Sequence, residues 1–178
     1  VGFLHFGVVE DEGWTKGHDA GRLFAAKALP YVTTDFLTNT YRPEDAERAI
    51  DAFVARDFDV LVATSFSHRD AVIKEAKLHP EKRFLMVGAK PPSPDVGSFD
   101  GRLEDAFYLA GVAAAQVTKT RRLGFVGPLV HPDAVRYVNA MLLGARRVDP
   151  SIVMEVRWVG FWFDDKKPDA QGRHDEER

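Results

Sequence analysis

No cysteine occurs in the 178 residues. That excludes disulfides, zinc–thiolate centres and a thiol nucleophile, and it leaves the redox compartment open. No stretch approaches the ~20 apolar residues that a helix needs to cross a bilayer. A large excess of either charge is lacking: the formal net charge is −3, which provides neither the basic footprint of a nucleic-acid binder nor a strongly acidic tail. Catalytic signatures are missing as well. There is no Gly-x-Ser-x-Gly elbow and no phosphate loop ending in Lys and Ser/Thr, and the glycines from Gly97 to Gly101 do not follow dinucleotide-binding spacing. The six histidines are scattered, so neither a metal centre nor a cofactor is expected. The given sequence opens in a strand pattern, so no cleavable leader is expected within it.

What is present is a repeating switch between two periods. Apolar residues make up 45 %, enough for a packed core rather than a disordered chain. Gly2 to Phe6 reads as a strand and Trp14 to Leu29 as a helix, with Leu23, Phe24 and Ala28 along one face. Thr33 to Leu37 is a second strand. Pro43 opens a helix through Arg56, since proline is tolerated in a first turn. Phe58 to Ala63 is a nearly unbroken apolar run, as expected of a central strand buried on both faces. Asp70 to His79 is helical, Arg83 to Gly88 a strand, Val96 to Phe99 a short strand, and Arg102 to Thr118 an Ala- and Leu-rich helix. Gly111 within it is expected to permit close helix packing. Leu123 to Val126, Pro132 to Val148 and Ile152 to Phe161 add strand, helix and strand. Strands alternating with helices imply right-handed crossovers, a parallel sheet and an α/β fold.

The loop between the first strand and first helix, Gly7 to Asp19, is the richest in chemistry. At the carboxyl end of the first strand of such a sheet, a loop faces the ligand crevice. Glu10, Asp11 and Glu12 bring acceptors, Trp14 a flat apolar ring and Thr15 a hydroxyl. That combination suits a planar, hydrogen-bonding small molecule. A tryptophan at a helix start has a rival reading as a core residue. Asp11 near a helix N-terminus is equally well explained by capping and the helix dipole.

Several stretches in order and spacing resemble the basic-membrane-protein family of extracytoplasmic solute-binding proteins, the purine- and nucleoside-binding lipoproteins of ABC importers. They are Asp11-Glu-Gly-Trp-Thr, Ala63-Thr-Ser-Phe-Ser-His-Arg-Asp70, Gly101-Arg-Leu-Glu-Asp-Ala-Phe-Tyr-Leu-Ala-Gly111, Arg122-Leu-Gly-Phe-Val-Gly127, Asn139 to Pro150 and Trp162-Phe-Asp164. The resemblance implies two α/β lobes of the type I periplasmic-binding-protein kind, each a parallel sheet flanked by helices. Residues 1–119 would form the first lobe and 120–165 the start of an incomplete second one. Residues 166–178 would be a polar tail or a truncated helix. A strand–helix–strand unit cannot cover both sheet faces, so a homodimer through that second-lobe segment is expected.

The resemblance also implies a ligand and its contacts. A purine base or nucleoside would stack on Trp14 and Phe66, with Trp162 on the base's other face. Asp11, Thr15, Asp70 and Asp164 would supply polar partners. Each has a bland rival: Asp70 and Asp164 as helix caps, Trp162 as part of a hydrophobic strand end. His68 is expected to be exposed rather than to bind a ligand. The implied partner is a membrane permease, the implied location extracytoplasmic with membrane anchoring, and the implied activity binding without catalysis. Two alternatives are a ligand-sensing module of a signalling protein and, less favoured, a nucleoside-acting enzyme.

Overall fold

The computed structural model describes residues 1–10, 13–88 and 90–160. The chain separates into two compact units, Val1–Asp100 and Gly101 onward. The first carries β1 (Gly2–Leu4), α1 (Trp14–Ala28), β2 (Asp35–Leu37), α2 (Pro43–Ala55), β3 (Val60–Ala63), α3 (Arg69–Leu78), β4 (Arg83–Val87) and β5 (Val96–Phe99). The second carries α4 (Leu103–Val117), β6 (Arg122–Gly127), α5 (Pro132–Val148) and β7 (Val153–Trp158).

The five strands of the first unit are all parallel, in the order β2-β1-β3-β4-β5. The apolar run that ends at Ala63 therefore occupies the centre, as its composition predicts. Strand side chains alternate between faces. Leu4, Leu61, Ala63, Phe84, Met86 and Val96 join Ile50 and Phe53 of α2 and Val72 and Ala76 of α3 in one buried cluster. Gly2 is needed there. A Cβ on it would sit 2.6 Å from the Phe53 ring, so only glycine lets α2 approach β1 this closely. Pro43 begins α2, and the Asp45 carboxylate accepts from the Arg42 backbone N–H at 3.2 Å, satisfying one of the donors a helix start leaves unpaired.

On the other face the helix differs from its sequence pattern. Leu23 and Phe24 of α1 are exposed, while the buried residues are Thr15 and Arg22. A polar network explains this. The Arg22 guanidinium donates to Asp19 Oδ1 at 2.6 Å and to Thr34 Oγ1 at 3.2 Å, and lies 4.6 Å from the centre of the Phe36 ring. The side of α1 turned to the sheet thus carries ion-pair and cation–π contacts in place of the Leu23–Phe24 stripe.

In the second unit, β6 and β7 pair in parallel. Leu123, Phe125, Met154, Val156 and Trp158 are half-buried, whereas Val126, Val153, Glu155 and Arg157 alternate with them and are exposed. The α4 helix packs on α5 here, so it belongs to this unit, and the division falls before Leu103 rather than near Lys119. Two glycines explain the closeness of that packing. A Cβ on Gly111 would fall on the Met141 carbonyl oxygen, and one on Gly144 on that of Tyr108. The role expected of Gly111 is met, with Gly144 as its counterpart on α5. Among the described residues no helix is long and apolar enough to cross a membrane.

Candidate functional site

In the first unit the chain runs from β1 outward to β2, then returns past β1 to β3. The strand order therefore reverses between β1 and β3. In open parallel sheets ligands bind outside the carboxyl ends of the strands at that reversal. Two sequence-predicted aromatics stand there. Trp14 opens α1 after β1 and is 48 % exposed; Phe66 opens a single 3-10 turn, Phe66–His68, after β3 and is 42 % exposed. Large rings this open to solvent at a strand-end crevice are the informative kind of exposed apolar surface.

Trp14 is held in place. Its indole N–H donates to the Thr64 carbonyl oxygen at 2.6 Å, tying the α1 start to the end of β3. The His18 ring meets the indole edge-on at 4.7 Å between centroids. With its one donor engaged, the indole can offer a ligand its π surface but no hydrogen bond. The turn that carries Phe66 is fixed by Ser65, whose Oγ accepts from the Ser67 N–H at 3.2 Å and lies 2.8 Å from Ser67 Oγ.

The other predicted residues fare differently. Thr15 is 1 % exposed, and its hydroxyl oxygen accepts from the Gly7 N–H at 3.2 Å. It shapes the loop from beneath. Asp70 sits in the first turn of α3 with its side chain 86 % exposed and 3.2 Å from Arg69, a position that suits the helix dipole. Asp11, Trp162 and Asp164 lie outside the described residues. A cavity of about 250 Å³ opens beside the end of β2, lined by Leu37 to Thr40 with Asp45, Arg48 and Ala49; it contains none of the predicted site residues.

Beneath the aromatics is a buried polar layer that sequence reasoning missed. His5 and His68 are both fully buried, which corrects the expectation that His68 is exposed. The Thr40 hydroxyl donates to the His5 carbonyl at 2.8 Å. His68 Nε2 lies 2.9 Å from the Thr40 carbonyl and 2.8 Å from Thr40 Oγ1. A carbonyl can only accept and the hydroxyl proton is already used, so Nε2 carries the ring proton. Nδ1 has no hydrogen bond among the described residues. Burial above all keeps the ring neutral and lowers its pKa from 6.5 to about 4, with nearby His5 adding to the fall and the Thr40 hydrogen bond opposing it. The Thr64 hydroxyl donates to the Leu4 carbonyl at 2.8 Å, and His5 Nε2 lies 3.2 Å from Asp19 Oδ1. Burial by itself would raise the Asp19 carboxyl. The hydrogen bonds from Arg22 and His5, with their charges, outweigh it and hold the group below the usual carboxylate range. The layer fixes the ends of β1, β2 and β3 relative to one another.

The description of PnrA-like ABC transporter substrate-binding proteins matches residues 1–172. The chain belongs to this family. A purine-binding protein of Brucella abortus is 33 % identical over 94 % of this chain and 48 % of its own length. A candidate glucose-binding protein of an ABC transporter from Haloferax volcanii is 32 % identical over 91 % of this chain and 41 % of its own length. The chain thus spans about half the length of the curated relatives it matches. In fold it is similar to an ABC transporter solute-binding protein of Aeropyrum pernix, with a TM-score of 0.74 at 20 % identity over 92 % of this chain and 48 % of the other.

Proposed function

We propose that this family member binds a purine base or nucleoside outside the cytoplasm and passes it to the permease of an ABC importer, without chemical conversion. The observation that carries the reading is the Trp14 indole, half exposed at the strand reversal and pinned by its N–H to the Thr64 carbonyl. A ring fixed in advance loses little freedom on binding, and stacking a nucleobase on an aromatic side chain contributes roughly 1–3 kcal/mol. Phe66 supplies a second apolar surface across β1 and β3. Polar recognition falls to Asp11, Asp70 and, from the later part of the chain, Asp164, with Trp162 on the opposite face of the base. Thr15 acts through the loop it braces. The purine-binding relative supports this ligand class; the glucose-binding one supplies the competing class.

Calorimetry on a protein carrying the full family length separates the two. Adenine, adenosine, guanosine and inosine are titrated beside glucose. Heat from a purine and none from glucose is the expected result. Heat from glucose alone would refute the purine assignment while leaving solute binding intact.

A further inference from the structure

Helices α2 and α3 carry a second cluster, on elements separate from the Trp14 loop. Asp51 of α2 and Glu75 of α3, with His79 immediately after α3, each bring one ligand atom, and the three atoms lie within 4.8 Å of one another. Glu75 and His79 are four residues apart, so they share one side of the helix end. His79 Nε2 is 3.7 Å from Glu75 Oε2. Two ligands on one ion, with bonds of about 2.0–2.2 Å, stand roughly 3.3–4 Å apart, so this pair is already spaced for a metal. Asp51 is exposed and can close the remaining distance by side-chain rotation. The other ring nitrogen, His79 Nδ1, faces Glu81 Oε1 at 3.5 Å. A carboxylate behind the imidazole is the arrangement that orients a metal-ligating histidine and raises its basicity.

Glu75 adds an independent reason. Its side chain is 4 % exposed, and its helix neighbours Val72 and Ala76 belong to the apolar core. A buried carboxylate is costly unless its charge is closely met. The Lys74 ammonium stands 3.5 Å away but makes its 2.7 Å hydrogen bond to Glu47, and its side chain is 53 % exposed. Lys74 and His79 both face this carboxylate, at 3.5 and 3.7 Å, so a bound cation would add to its charge compensation rather than supply it alone.

We propose that Asp51, Glu75 and His79 bind a divalent transition metal, with Zn²⁺ the best match, and that the ion fastens α2 to α3. An imidazole with two carboxylates suits zinc better than the all-oxygen shells of magnesium or calcium. Three protein ligands leave one position for water. The proposal is independent of the purine reading, and it revises the expectation of no metal: Glu75-x-x-x-His79 is visible in the sequence, but Asp51 joins it only through helix packing.

The test uses the 178-residue chain and Zn²⁺ alone, followed by calorimetry and thermal unfolding, with Co²⁺ absorption as a geometric probe. One ion per chain and a raised Tm are expected. Asp51→Asn and His79→Gln should each weaken binding at least tenfold and remove most of the Tm rise. Glu81→Gln should weaken it about 10- to 100-fold. His174→Ala, in the polar end of the sequence, should leave binding unchanged. No heat with Zn²⁺ overturns the proposal. So does binding that survives Asp51→Asn and His79→Gln together, or that disappears with His174→Ala.

Discussion

His68 makes the stability of the first unit depend on pH in a defined window. The folded ring has its pKa lowered to about 4 against 6.5 for the free side chain, because the ring is buried. Between these values the unfolded chain binds the proton and the folded chain does not. Stability therefore rises with pH across the window, is complete above about 6.5, and is lost progressively as pH falls toward 4. At about 1.4 kcal/mol per pH unit the full loss is about 3 kcal/mol, and by pH 4.5 most of it has occurred. That is a large share of the 5–15 kcal/mol typical of a domain. The carboxylates Asp19 and Asp35 have their pKa lowered, so the stability they contribute is lost only as pH falls below about 4. They leave the window to histidine.

The assay compares the chain with His68→Gln, whose amide can still donate to the Thr40 carbonyl but cannot titrate. Urea unfolding of both is followed from pH 7 to 4.5. The difference in unfolding free energy between them should shrink by about 2–3 kcal/mol on acidification, because only the native histidine gains a proton on unfolding. Equal pH dependence in the two proteins would refute the argument. So would an NMR titration of the His68 ring with a midpoint near 6.5.

Other outcomes follow from particular contacts. Trp14→Ala should weaken binding of the purine by roughly 1–3 kcal/mol and Trp14→Phe by less, because a ring remains; calorimetry that finds Trp14→Ala harmless removes Trp14 from the site. Gly111→Ala and Gly144→Ala should each destabilise the second unit by about 1–3 kcal/mol or more, since the added methyl meets a carbonyl oxygen of the facing helix; limited proteolysis and thermal unfolding would register it, and unchanged stability would contradict the close crossing. Arg22→Met should cost about 3 kcal/mol by leaving the Asp19 carboxylate partly buried without its guanidinium, read by urea unfolding against Arg56→Met as a more exposed control. Exposed Val126 and Val153 on the open face of β6–β7 should make the 178-residue chain associate; light scattering over a dilution series should show dimers that Val126→Lys suppresses, and a monomer at every concentration would count against it.

Much of the fold could be read from the residues because several signals are local. Pro43 and Pro132 mark helix starts that the structure places at those very residues. The apolar run ending at Ala63 becomes the central strand, since only a strand covered on both faces tolerates such composition. Where the reading and the structure part, a tertiary partner decides. Leu23 and Phe24 form the apolar stripe of α1 in sequence, yet Arg22 is the residue buried, because Asp19, Thr34 and Phe36 together satisfy its charge. No periodicity encodes that combination. The Gly111–Gly144 crossing explains the shifted division between the units: α4 is equally apolar whichever neighbour it has, and its partner is chosen by two backbone approaches rather than by a stripe.

The site shows the same division between what is local and what is assembled. The placement of Trp14 and Phe66 was legible because each follows closely on a strand end, where a parallel sheet presents its loops. Thr15 shared that address, but side chains one residue apart at a helix start point in different directions, and this one turned inward to the Gly7 N–H. His68 was misjudged for a related reason. It reads as a polar residue in a polar loop, Ser-Phe-Ser-His-Arg, and nothing in that string tells that Thr40, far away in sequence, would meet its ring. The two placements are linked in their consequence. With Thr15 and His68 both committed to the layer under the loops, a hydroxyl expected to face a ligand and an imidazole expected to face solvent instead tie the strand ends together. The Trp14 and Phe66 rings stay half exposed at the reversal, which is why the proposed reading rests on them. The proposed binding mode, a pre-positioned ring with polar selection by acidic residues, follows from that allocation.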